Sequence, residues 1–197
     1  MLQLHALARL HVAPVDLRVD DGECISIEGR SGSGKSILLR SIADLDPHMG
    51  DCSLDGNACS AMAAPLWRRQ VTYVAADPGW WAEQVSDHFT DTAAARALLP
   101  RVGLPEDALQ WPVARLSTGE RQRVALLRAF TEANRVLLLD EPTSGLDAES
   151  RDSVESLLRE RLASGRSVVL VTHDPDFAQR IAQRRFIMDA GQLREAA

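Results

Sequence analysis

The chain has 197 residues, a formal net charge of −6 and a pI near 5.4, a length that suits one domain with a sizeable core and a balance that excludes a general nucleic-acid binder with a basic face. No apolar run reaches the roughly 18 residues of a bilayer span, and the opening "MLQLHALARLHVAP" lacks the basic and long apolar regions of a signal peptide. Cys24, Cys52 and Cys59 are odd in number and lack CxxC spacing, which predicts reduced thiols in a cytosolic core.

The elements follow in chain order. "VDLRVDDGECISIEG" reads as two strands around an Asp-Gly turn. "GRSGSGKS", Gly29 to Ser36, follows as a glycine-rich loop. "KSILLRSIADL" then has helical spacing, with Ile37, Leu38, Ile42 and Leu45 on one side. "GDCSLDG" predicts a short strand closed by Asp55-Gly56, and "QVTYVAA" predicts another. From about Trp81 to Trp111 the pattern is helical and alanine-rich, broken at Pro100, Gly103 and Pro105. "LSTGERQRVALL", Leu116 to Leu127, enters a helix: Val124, Leu126 and Leu127 have helical spacing, and Ser117 with Glu120 fits a capping box. "RVLLLD" and "SVVLVTH" are apolar without alternation, as in strands buried on both faces of a parallel sheet. A helix over about Ala148–Ala163, closed by Ser164-Gly165, separates them, and "RRFIMDAGQLRE" gives one or two final strands. Strands alternating with helices imply an α/β fold with a mainly parallel central sheet. The middle stretch, about residues 78–131, is expected as a helical subdomain at one side.

Three groups carry chemistry. "GRSGSGKS" fits G-x-x-x-x-G-K-[ST] at Gly29, Gly34, Lys35 and Ser36, between a strand and a helix, as a phosphate-binding loop requires. Glycines let the backbone N–H groups of Gly29, Arg30, Ser31, Gly32, Ser33 and Gly34 wrap an anion. Lys35 suits the β- and γ-phosphates, and the Ser36 hydroxyl suits Mg²⁺. "RVLLLDEP" ends a strand in Asp140, which suits the Mg²⁺ shell, and Glu141, which suits polarising a water for attack on the γ-phosphate. Strand alternation predicts that Glu141 points away from Asp140. His173 ends the next strand at the same sheet edge, where its imidazole suits a hydrogen bond to the γ-phosphate.

Together these pieces resemble the nucleotide-binding domain of ABC (ATP-binding cassette) ATPases over nearly the whole chain. "GRSGSGKS" is similar to the Walker A loop, "LSTGERQ" to the family signature LSGGQ, and "VLLLDEP" to Walker B. "SGLD", Ser144 to Asp147, is similar to the D-loop, and His173 matches the switch histidine. The resemblance implies a P-loop NTPase fold with N-terminal antiparallel strands, a single domain over residues 1–197, and catalytic roles for Glu141 and His173. It implies two chains associating head to tail around two ATP, each held by one chain's Walker A and the other's Ser117, Thr118, Gly119 and Glu120, with Asp147 at the interface. A capping box alone also accounts for Ser117 and Glu120, and both uses are compatible.

The sequence departs from the family at Thr118, where glycine is usual, and at Glu120, where glutamine is usual. No Phe, Tyr or Trp lies near the N-terminus to stack on adenine, which leaves His5 or His11. Ala76 stands in place of the Q-loop glutamine, with Asp77 after it. If "VTYVAA" stays extended, alternation turns Asp77 away from the site.

The resemblance further implies an ATP-hydrolysing subunit that works with a separate multi-span membrane subunit, on the cytoplasmic face of the cell membrane. Trp80 and Trp81 lie beside the Q-loop, either as an anchor for that subunit or as packing inside the helical subdomain. Two other readings stand beside it, a soluble ABC mechanoenzyme and a P-loop kinase. The kinase accounts for neither "LSTGERQ" nor His173.

Overall fold

The computed structural model describes residues 1–196. Two sheets stack with helices around them. The smaller is antiparallel, in the order β2-β1-β4-β5, from β1 (Leu2–Arg9), β2 (Val12–Val19), β4 (Met49–Leu54) and β5 (Asn57–Ala58). The larger has the order β10-β9-β3-β8-β7-β6. It comprises β3 (Cys24–Glu28), β6 (Val71–Val74), β7 (Val136–Asp140), β8 (Ser167–Val171), β9 (Arg184–Asp189) and β10 (Gln192–Glu195). Every pairing in it is parallel except that of β10 with β9.

The continuous apolar runs lie where the sequence places them. Every residue of β7 and of β8 is buried. Alternate residues feed two cores. Val136, Leu138, Val169 and Val171 face the antiparallel sheet and α1 (Lys35–Ile42). Leu137, Leu139, Val168 and Leu170 face the opposite layer. That layer includes α4 (Thr118–Arg128), α5 (Ala148–Ala163) and α6 (Pro175–Ile181) through Leu126, Val154, Leu158 and Phe177. No described helix is long and apolar enough to cross a membrane. All three cysteines are free and buried.

The Asp21-Gly22 turn is flanked by two strands as expected, β2 and β3, and because they belong to different sheets it links the layers. Several expectations are corrected. α1 ends at Ile42, and Leu45 lies beyond it, 38% exposed, while Leu39 is fully buried instead. The stretch Trp81–Trp111 holds one short helix, α3 (Thr92–Leu98); the rest is single 3-10 turns at Val85–His88, Leu99–Val102 and Glu106–Gln110. Pro100 and Pro105 remove N–H donors that a continuous helix needs. A third core still forms there, from Val85, Leu99, Val102, Leu109, Val124 and Leu127. β1 supplies the N-terminal antiparallel pairing that the resemblance implies, whereas α2 (Ala64–Gln70) and α6 carry no local signal in the sequence reading.

The two-sided burial of β7 sets a stability expectation. Leu138→Ala is expected to cost about 2–5 kcal/mol in denaturant unfolding, whereas Leu45→Ala, beyond the helix and partly exposed, is expected to stay within about 0.5 kcal/mol.

Candidate functional site

The glycine-rich loop joins β3 to α1 at the carboxyl edge of the parallel sheet. Its backbone admits only glycine at two points. Gly29 has φ 146°, and a Cβ there would sit 2.1 Å from the Met188 carbonyl oxygen. Gly34 has φ 111°, and a Cβ would sit 2.7 Å from Val12 Cγ2. Gly34 caps α1 with no side-chain hydrogen bond, so the first N–H groups of that helix stay free for an anion. Lys35, the chain's only lysine, is buried. Its Nζ donates to the carbonyls of Gly29 (2.7 Å) and Arg30 (3.0 Å) rather than to a carboxylate. Burial lowers its pKa, and the nearby Glu141 and Asp140 charges oppose that. Ser33 Oγ is buried without a hydrogen-bond partner.

The loop forms one wall of a cleft of about 280 Å³, with Ser31, Gly32, Gly34, Lys35 and Ser36. Asp140, Glu141 and His173 form the facing wall. His11 lines the cleft and His5 does not; His5 lies exposed on β1 opposite Asp51. Ala76 also lines it. β6 ends at Val74, so Ala76 and Asp77 sit in a bend and strand alternation does not govern them. Asp77 is exposed outside the cleft all the same.

Glu141 corrects the alternation argument. β7 ends at Asp140, and Glu141 adopts φ 51°, a left-handed conformation unusual for a residue with a side chain. That turn brings both carboxylates to the same cleft. The His173 N–H donates to Glu141 Oε2 (3.2 Å), and His173 Nε2 lies 3.4 Å from Oε1. Oε1 is buried and accepts no hydrogen bond. Burial raises the Glu141 pKa, against the N–H and ring of His173, which lower it. Tyr73, which the motif reading passed over, donates its hydroxyl to Asp140 Oδ2 at 2.9 Å. As the chain's single tyrosine on a strand beside Walker B, it was visible in sequence only by its position.

The helix start at Ser117 lies outside the cleft, on the surface. Ser117 Oγ accepts from the Glu120 N–H (3.2 Å), and Glu120 Oε2 accepts from the Ser117 N–H (2.7 Å), a complete capping box. Thr118 is exposed, and Gly119 is half-buried against Leu146. Asp147 caps α5, accepting from the Ser150 N–H at 2.8 Å. α1 is therefore uncapped by side chains, while α4 is capped by its own.

The two tryptophans separate. Trp80 packs on the third core, and Trp81 is 71% exposed. The Arg128 guanidinium lies over both rings at 4.4 and 4.9 Å, and His88 meets both edge-on. Arg128 has no carboxylate partner among the described residues, and burial pushes its pKa down to about 10. Trp81, Arg128, Gly79 and Ala125 line a groove of about 300 Å³ that borders β6.

A family model described as "ABC transporter" matches residues 12–144. The aliphatic sulfonates import ATP-binding protein SsuB 2 of Agrobacterium fabrum is 38% identical, over 91% of this chain and 70% of its own length. SsuB of a Mycobacterium species is 40% identical, over 91% and 74%. The methionine import ATP-binding protein MetN of Xanthomonas oryzae pv. oryzae is 36% identical, over 92% of this chain and 59% of its own length. Among solved structures, a dimeric post-hydrolysis state of the ATP-binding cassette MJ0796 bound to ADP and Pi superposes with a TM-score of 0.82 at 26% identity, covering 100% of this chain and 98% of the other. An ATP binding subunit of an ABC transporter gives 0.88 at 26% identity, covering 100% and 89%.

The complete box at α4 predicts that Ser117→Ala loses about 1 kcal/mol in urea unfolding, whereas Ser117→Asn keeps most of it.

Proposed function

The chain belongs to the ABC transporter family, and on that premise we propose that its cleft holds MgATP for hydrolysis, completed by the Ser117 helix start of a second copy. The chain is a transport-coupled ATPase. The observation that carries the reading is the facing of an uncapped phosphate loop by Asp140, Glu141 and His173 in one cleft. Relatives named as import ATP-binding proteins, matched over nine-tenths of this chain, favour this over a soluble mechanoenzyme.

Each residue has a part. Lys35 exchanges two neutral carbonyls for phosphate oxygens, and the free N–H groups at α1 take the rest of the negative charge. Ser33 Oγ gains the partner it lacks. Ser36 and Asp140 fit Mg²⁺: both offer hard oxygens, and no described group of three or more His, Cys, Asp or Glu side chains builds a protein cage. Mg²⁺ usually takes one or two carboxylates with phosphate and water. When bound, Mg²⁺ neutralises charge on the phosphates. Glu141 accepts the proton of the attacking water at Oε1, whose burial moves its pKa toward working pH. His173 holds the other oxygen of Glu141 through its N–H and offers its ring to the γ-phosphate.

Ser117 uses its oxygen as an acceptor within the cap, so its hydroxyl proton remains to donate to a phosphate across the interface. Thr118, Gly119, Glu120 and Asp147 frame that surface. His11 is the ring placed to cover adenine. A multi-span membrane subunit docks at the groove beside Trp81, whose exposed ring is the anchor while Trp80 serves the core. That assembly places the chain on the cytoplasmic face of the membrane. The relatives import sulfonates in one case and methionine in another, so the cargo is set by the membrane subunit rather than by this cleft.

Lys35→Ala is expected to abolish MgATP binding in equilibrium titration, and Glu141→Gln to bind ATP, barely hydrolyse it, and elute as a dimer with MgATP. A monomeric Glu141→Gln chain at saturating ATP overturns the two-chain site. Because Glu141 must be deprotonated to act and its pKa is raised, wild-type turnover falls on acidification at a pH above the ordinary glutamate value of about 4.3. A pH–rate profile with no such acidic limb contradicts Glu141 as the base.

A further inference from the structure

We propose that Tyr73 is a positioning residue for the Asp140 carboxylate, holding one oxygen so that the other is presented to the divalent cation. The inference rests on the MgATP reading above. Tyr73 sits on β6 opposite Leu138 of the parallel neighbour β7, and its ring packs on the core beneath the antiparallel sheet. This places the hydroxyl 2.9 Å from Oδ2 of Asp140, at the end of β7. Asp140 is only 5% exposed, yet it lines the cleft. Among the described residues no other donor reaches its carboxylate.

A carboxylate turns freely about its terminal torsion unless a hydrogen bond fixes it. Here a half-buried phenol, held by its packing on the core, fixes it from the core side. Metal-ligating carboxylates are commonly held by such outer partners, and loss of one typically weakens metal affinity by 10–100-fold. The segment after β6 offers the cleft only the methyl of Ala76. The polar contribution of this segment to the site therefore comes from upstream, through Tyr73, and acts on Asp140 rather than on the nucleotide.

The test measures binding of a fluorescent ATP analogue to the full chain, in Mg²⁺ and in EDTA. Wild type, Tyr73→Phe, Asp140→Asn and the double variant are compared. Tyr73→Phe is expected to weaken binding about tenfold in Mg²⁺ and to leave binding in EDTA unchanged. In the Asp140→Asn background it adds nothing, since the group it positions is gone. Wild-type affinity of Tyr73→Phe in Mg²⁺, an equal loss in Mg²⁺ and EDTA, or a further loss in the double variant overturns the proposal. If wild type itself binds no tighter in Mg²⁺ than in EDTA, the cation reading of Ser36 and Asp140 fails first, and Tyr73 falls with it.

Discussion

Everything chemical in this protein hangs on the burial of β7 and β8 on both faces. Alternate residues of each strand are locked into two different cores, so neither strand can slide or rotate without exposing one of them. Their carboxyl ends are therefore fixed points. Asp140 and Glu141 leave one, His173 follows the other, and the phosphate loop leaves β3 next to β8 in the same parallel sheet. Ligand sites of open α/β sheets lie at this edge because successive parallel strands all deliver their loops there.

The strength of that pattern explains what could be read from sequence. "RVLLLD" and "SVVLVTH" are legible because a strand buried on both faces has no polar positions to confuse its period. The helix Ala148–Ala163 and the capping box at Ser117 are legible because their end signals are local. What failed was context. The alanine-rich stretch from Trp81 has helix-forming composition, but beside α3 it forms only single 3-10 turns, broken at its prolines and packed on Val124 and Leu127. The Asp21-Gly22 turn has the chemistry of a hairpin, yet β2 pairs back with β1 just before it while β3 pairs with the distant β8 and β9. Glu141 defeated alternation through one left-handed residue, and the Tyr73–Asp140 contact depends on inter-strand register, which no local signal encodes.

The molecule carries two helix starts prepared in opposite ways. α1 lacks any side-chain cap and opens onto a cleft with a buried cation; α4 is satisfied by its own Ser117 and Glu120 and faces outward. A helix start that is already capped is a poor primary anion site but a stable, preformed surface, suited to close over phosphate that another chain has bound. On the proposed two-chain reading the difference implies an order of assembly, with nucleotide entering at α1, where the unsatisfied N–H groups are, and the α4 surface of the second copy closing after it.

A mixing experiment tests this division most directly. Lys35→Ala removes the α1 site and leaves the Ser117 surface, whereas Ser117→Arg does the reverse. In a mixed dimer, one interface joins the two damaged surfaces and the other joins the two intact ones. With Glu141→Gln in both chains to slow turnover, neither variant alone is expected to dimerise with MgATP, while the mixture forms dimers that retain one ATP per two chains. A mixture that stays as monomeric as its components would contradict a site shared between two chains.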